Sequence, residues 1–166
     1  GEDFVSQTLL NRRPLPLAAD EITTDWMTHA LQHRYPDVAV ESVEVRDIIN
    51  GTSTKIRVAL NYNGQGRELG LPPTMIVKGG FESHSEWMAG MYRDEVRFYR
   101  DVKPYITINT PECYYAESDP DSYQSIVLLE DLRAKDVHWQ HPQEPCTYDQ
   151  IARRLEAMAV YHAQTW

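Results

Sequence analysis

The sequence predicts an α+β fold: a five-stranded, mostly antiparallel sheet flanked by one long helix. A helix precedes the sheet, and the start of a second helical unit follows it. Three observations carry this prediction. Up to Lys78 the apolar runs are short, rich in β-branched residues and separated by turn residues. One helical pattern then interrupts the strands between residues 81 and 102. Two further strand-like runs follow before helical spacing resumes near Thr147.

Residues 1–19, with Arg12, Arg13, Pro14 and Pro16, read as an extended arm. Helix signals open at Glu21-Ile22-Thr23-Thr24, where either Thr23 or Thr24 is the N-cap. Ile22, Trp26, Met27, Ala30 and Leu31 then recur at helical spacing, with Trp26 read as core, and Pro36 stops the helix. Between Val38 and Ile49, Val43 and Val45 alternate with Glu44 and Arg46. Asn50-Gly51-Thr52-Ser53-Thr54 is a turn. Lys55 to Tyr62 is the cleanest strand: Ile56, Val58, Leu60 and Tyr62 alternate with Lys55, Arg57, Ala59 and Asn61, so one face is buried. Asn63-Gly64-Gln65-Gly66 reads as the next turn. Thr74 to Val77 is a short apolar strand that ends on Lys78.

The stretch FESHSEWMAGMYRDEVRFYRDV, from Phe81, places Met88, Met91, Tyr92, Val96, Phe98, Tyr99 and Val102 on one helical face. Glu95 falls in the middle of that face. A carboxylate there is costly to bury without a partner, and Lys78 is the nearest candidate. The alternative is a slight roll of the helix that lets Glu95 reach solvent. A strand lysine aimed by a helix glutamate is how kinase-like folds hold the phosphates of ATP. Beyond Pro104, Pro111 to Ala116 reads as a fourth strand, Ser118 to Ser122 as a turn and Gln124 to Leu129 as a fifth strand buried on both faces. The fifth strand runs into Glu130-Asp131-Leu132. A polar stretch from Arg133 to Pro145 leads to a last helix, with Thr147 as N-cap and Ile151, Leu155, Met158, His162 and Trp166 at helical spacing.

The chain has 166 residues, which suits one domain or part of a larger one. A net charge of −9 without a Lys/Arg cluster argues against a nucleic-acid partner. No apolar run approaches a membrane span, and the N-terminus lacks a signal-peptide core. Two cysteines, Cys113 and Cys146, make no disulfide framework and fit a reducing, cytoplasmic compartment. Gly1 in place of Met reads as a tag remnant or a cut site.

Four stretches in order, MIVKGG at 75–80, PECYYAESD at 111–119, LLEDL at 128–132 and AVYHAQTW at 159–166, resemble the small-molecule kinases. These are the aminoglycoside phosphotransferase and choline kinase group, and most closely its ecdysteroid-kinase-like branch. The resemblance covers roughly residues 20–166. It implies a protein-kinase-like N-terminal lobe over 20–132, up to the hinge, and a linker with the first helix of a second lobe over 133–166. It implies an ATP-dependent phosphotransferase acting on a small-molecule hydroxyl. Lys78 would meet the α- and β-phosphates and Glu95 would hold it. The loop Gly51, Thr52, Ser53 and Thr54 would close over the phosphates, although it keeps only one glycine of the usual glycine-rich pattern. Glu130, Asp131 and Leu132 would be the hinge that reads adenine through main-chain groups, so that side chains matter little there. The aspartates of the catalytic loop and of Mg²⁺ binding, in the family's pattern, come beyond the helix that ends in Trp166. The expectation is therefore a segment of a longer protein, with no catalytic residue of its own, lacking its C-terminal lobe and inactive without it. The runner-up is a non-catalytic, pseudokinase-like nucleotide-binding or interaction module. A third class is an interaction domain in which Lys78 and Glu95 are coincidental.

Other groupings are weaker. His138, His141 and Cys146 have loosely metal-like spacing but no fourth ligand nearby, and no metal site is expected. His162 reads as a satisfied core histidine, and the Tyr114-Tyr115 pair as packing.

Overall fold

The computed structural model describes residues 13–140 and 143–166. The arm up to residue 12, and His141, lie outside the described residues. The first helix, α1 (Thr24–Gln32), is capped by Thr23, whose hydroxyl accepts the Trp26 N–H at 3.2 Å. Its buried face is Trp26, Met27, Ala30 and Leu31, the spacing read from the sequence.

The strands are β1 (Val40–Ile49), β2 (Thr54–Tyr62), β3 (Thr74–Gly79), β4 (Cys113–Ser118) and β5 (Ser125–Glu130). They form one sheet in the order β1-β2-β3-β5-β4, and all four pairings are antiparallel. β1 to β3 form a meander. β5 then inserts beside β3 and leaves β4 at the far edge. The expected turn at Asn63 to Gly66 is instead a one-turn helix, α2 (Gly64–Glu68), because the Asn63 side chain accepts the Gly66 N–H at 3.1 Å. The residues that favour turns also favour helix N-caps.

The two faces of the sheet differ. On the outer face Ile56, Val58 and Leu60 of β2, Met75 and Val77 of β3, and Ile126 and Leu128 of β5 pack with the buried face of α1. Each such side chain contributes about 1.5–3 kcal/mol on leaving water, so this face holds the main core. On the inner face α3 (Ala89–Arg97) lays Val96 against Val127 and Leu129, with Tyr99 packed alongside.

The 81–102 stretch is not one regular helix. A 3-10 turn (Ser85–Met88) leads into α3, and a π-helical turn (Phe98–Val102) follows it. Tyr92, Glu95, Val96 and Tyr99, at i, i+3, i+4 and i+7, form the strip that meets the sheet. Met91 was expected on that strip, but it lies outside it and is 59% exposed.

The last helix, α4 (Tyr148–Thr165), opens with a reciprocal capping box between Thr147 and Gln150. Gln164 ties it to the segment after α3, accepting the Thr107 N–H and donating to its hydroxyl, each at 2.9 Å. Its apolar stripe of Ile151, Leu155 and Met158 is exposed. His162, expected in a core, is exposed with that stripe. Among the described residues no helix is long and apolar enough to cross a membrane.

Candidate functional site

The inner face of the sheet, between α3 and the chain leaving β5, forms a cleft of about 640 Å³. Ile49, Ile76 and Leu129 give it apolar walls. Lys78, near the end of β3, points into it, and its Nζ lies 2.6 Å from Glu95 Oε1. The two side chains are 22% and 27% exposed, so the pair sits at the water boundary. Glu95 therefore keeps its place on the apolar strip by pairing with Lys78.

Lys55 lies directly opposite Lys78 in the β2–β3 register, and both line the cleft. Opposite residues of paired strands share a face. Lys55 Nζ meets only the Ser53 carbonyl, at 3.4 Å, and among the described residues it has no carboxylate partner. The cleft thus holds one neutralised lysine and one free of a counter-charge. Tyr99 lies at the same wall, and burial, with Cys113 and Glu95 nearby, pushes its hydroxyl up to about 12, so it stays protonated.

At the other side β5 ends at Glu130, and the chain turns through a 3-10 segment (Leu132–Ala134). Asp131 is buried. Its Oδ1 accepts the Arg133 N–H at 3.1 Å, and its Oδ2 takes Arg57 Nε at 2.6 Å. Burial works to raise its pKa, but the hydrogen bonds from Arg57, Thr74 and the Arg133 backbone outweigh it and hold the carboxyl below its ordinary range. Asp131 thus builds the turn through its own side chain. Glu130 is different: Lys135, at 2.5 Å, holds its more open carboxylate below the usual value.

The structure brings Lys78, Glu95, Glu130, Asp131 and Leu132 to one cleft. The predicted loop residues Gly51, Thr52, Ser53 and Thr54 are not among those that line it. Thr54 begins β2 with 1% exposure, and its hydroxyl donates to Glu82 Oε1 at 3.1 Å. That hydroxyl is turned into the protein. The Thr52 carbonyl accepts the Tyr92 hydroxyl at 2.5 Å.

Lys55, Arg57, Tyr92 and Gln124 were missed as contributors. The signal for the first two was present, since the alternation in β2 puts them opposite Ile56 and Val58, on the face that Lys78 marks as the cleft. Gln124 carried none. It is fully buried, and its amide bridges both backbone groups of Gly80 and the Pro16 carbonyl. Gly80 has to be glycine, because a Cβ there would sit 2.6 Å from the Tyr92 ring. His138 is paired with Glu144, and the Cys146 sulfur accepts from Gln140 and Arg154.

A five-stranded antiparallel sheet, a strand lysine held by a helix glutamate, and a capped turn where the last strand leaves the cleft define an N-terminal lobe of the kinase-like class. The sequence profile of the ecdysteroid kinase-like family matches residues 50–166, and the chain belongs to that family. Membership implies a small-molecule kinase-like function of the transferase kind. Comparison with curated proteins and with solved structures gives no match.

Proposed function

We propose that the protein is the nucleotide-binding part of an ATP-dependent phosphotransferase acting on a small-molecule hydroxyl. The observation that carries this reading is the Lys78–Glu95 pair at the water boundary of a cleft with apolar walls. A lysine is a point charge on a flexible stem, and a fixed carboxylate aims it. Lys78 would take the α- and β-phosphates, with Lys55 adding a second positive charge beside it. Adenine would lie between Ile49, Ile76 and Leu129. Leu132 opens a 3-10 turn, where a backbone N–H has no partner within the helix, which suits the acceptor edge of adenine.

The reaction is in-line transfer of the γ-phosphoryl group to the acceptor oxygen, in which positioning and charge stabilisation do the work. The residues here bind and orient the nucleotide. Bound Mg²⁺ would neutralise phosphate charge. Among the described residues no group of three His, Cys, Asp or Glu gathers to hold such an ion, and no step is assigned to it. The reading divides the chain into a lobe over 20–132 and a linker with the first helix of a second lobe over 133–166. The unbonded thiols of Cys113 and Cys146 support a cytoplasmic setting.

Calorimetric titration with Mg·ATP tests the reading. The protein is expected to bind, and Lys78→Ala to weaken binding about tenfold or more, since a charge-assisted hydrogen bond contributes about 1.5–3 kcal/mol. Equal affinity in the two proteins would sink the proposal.

A further inference from the structure

The loop between Ile49 and Lys55, which both line the cleft, carries one glycine, Gly51, where the usual phosphate-covering loops carry several. Two contacts from outside the loop hold it instead. Tyr92 of α3 is 4% exposed and donates its hydroxyl to the Thr52 carbonyl at 2.5 Å, with Ser85 Oγ 3.4 Å from the tyrosine oxygen. Thr54 donates to Glu82, in the segment that leads from β3 toward the same helix. The Tyr92 ring is itself held against Gly80, where an added Cβ would meet it at 2.6 Å.

The Tyr92 bond has a directional consequence. No peptide bond among the described residues is cis. In a planar trans peptide the C=O and the next N–H point in opposite directions. Holding the Thr52 carbonyl toward α3 therefore turns the Ser53 N–H away from the helix. Tyr92 and Glu95 are three residues apart on the helix, so both reach the sheet side together. A displacement of α3 that parts Glu95 from Lys78 also parts Tyr92 from the loop.

We propose that Tyr92 is a positioning residue for the nucleotide, which orients the peptide between Thr52 and Ser53 so that an N–H rather than a C=O is offered to the phosphates. It also makes the order of the loop and the aim of Lys78 depend on one helix position. This inference rests on the nucleotide reading above. A carbonyl turned toward a polyphosphate repels it, whereas an N–H donates to it, as in other backbone anion sites.

The test compares the parent with Tyr92→Phe, which keeps the ring and removes only the hydroxyl, and with Thr54→Val, which removes the second tie. Binding of Mg·ATP and of adenosine is measured for each, together with amide hydrogen exchange at residues 51–54. Tyr92→Phe is expected to weaken ATP about fivefold, the ratio set by one hydrogen bond's net contribution, and to leave adenosine unchanged. Exchange at 51–54 is expected to speed up. Thr54→Val is expected to move ATP in the same direction and by less. An equal loss of ATP and adenosine, or no loss of ATP, in Tyr92→Phe overturns the inference while leaving the nucleotide reading intact. A parent that binds adenosine and ATP equally weakly, with no effect of Lys78→Ala, overturns the nucleotide reading and this role with it.

Discussion

Two ion pairs line the cleft, and both close at 2.6 Å: Lys78 with Glu95, and Arg57 with Asp131. Their surroundings differ. Lys78 and Glu95 are each about a quarter exposed, at 22% and 27%, and share one hydrogen bond. The Asp131 side chain is 2% exposed and also accepts from Thr74 and from the Arg133 backbone. Distance alone does not distinguish the two pairs, but solvation does. A pair at the water boundary can exchange part of its interaction for a phosphate. A buried pair that loses one member leaves a desolvated charge behind.

The largest expected effect follows from the buried pair. Asp131→Ala removes the cap and strands Arg57, and is expected to cost about 3 kcal/mol of folding stability, read from denaturant unfolding. A cost no larger than that of an exposed substitution would erase the contrast. The boundary pair is expected to show the reverse pattern. Glu95→Gln should cost less than about 1 kcal/mol in stability, in line with partly exposed ion pairs, yet weaken Mg·ATP binding, because Lys78 loses its aim.

Acid sharpens the comparison further. The Asp131 carboxyl is held below 3.8 in the folded protein, so it binds fewer protons than in the unfolded chain. Its contribution is present above the unfolded value and is lost as pH falls through the lower folded value. Asp131→Asn should therefore flatten the fall in unfolding free energy on acidification below that ordinary value. An unchanged acid slope would mean that the pair is not coupled to folding. The smallest effect is expected at the neighbouring carboxylate. Glu130→Ala should change ATP affinity by less than about 1 kcal/mol, since in the proposed reading main-chain groups meet adenine there. A loss above roughly 2 kcal/mol would show side-chain readout.

Much of the fold was legible because its elements obey local periods. The alternation in β2 marked its buried face, and Thr23 and Thr147 announced their helices through capping chemistry. The Asn63 turn was misread because turn and N-cap draw on the same side chains. Met91 was misplaced because a helical wheel assigns a face without knowing how wide a strip the sheet can meet.

For the site, the sequence by itself determined that Glu95 needed a partner and that Lys78 was within reach. A carboxylate on an apolar strip is a local anomaly, and the two residues lie 17 positions apart on adjoining elements. Only the tertiary structure decided that Asp131 is a buried strut, that Lys55 stands beside Lys78, and that Tyr92 holds the loop. Arg57 and Asp131 are 74 positions apart, and Tyr92 and Thr52 are 40. No periodicity spans such separations. These contacts exist because sheet register and helix docking bring distant side chains into one low-dielectric space, where each polar group must find a partner.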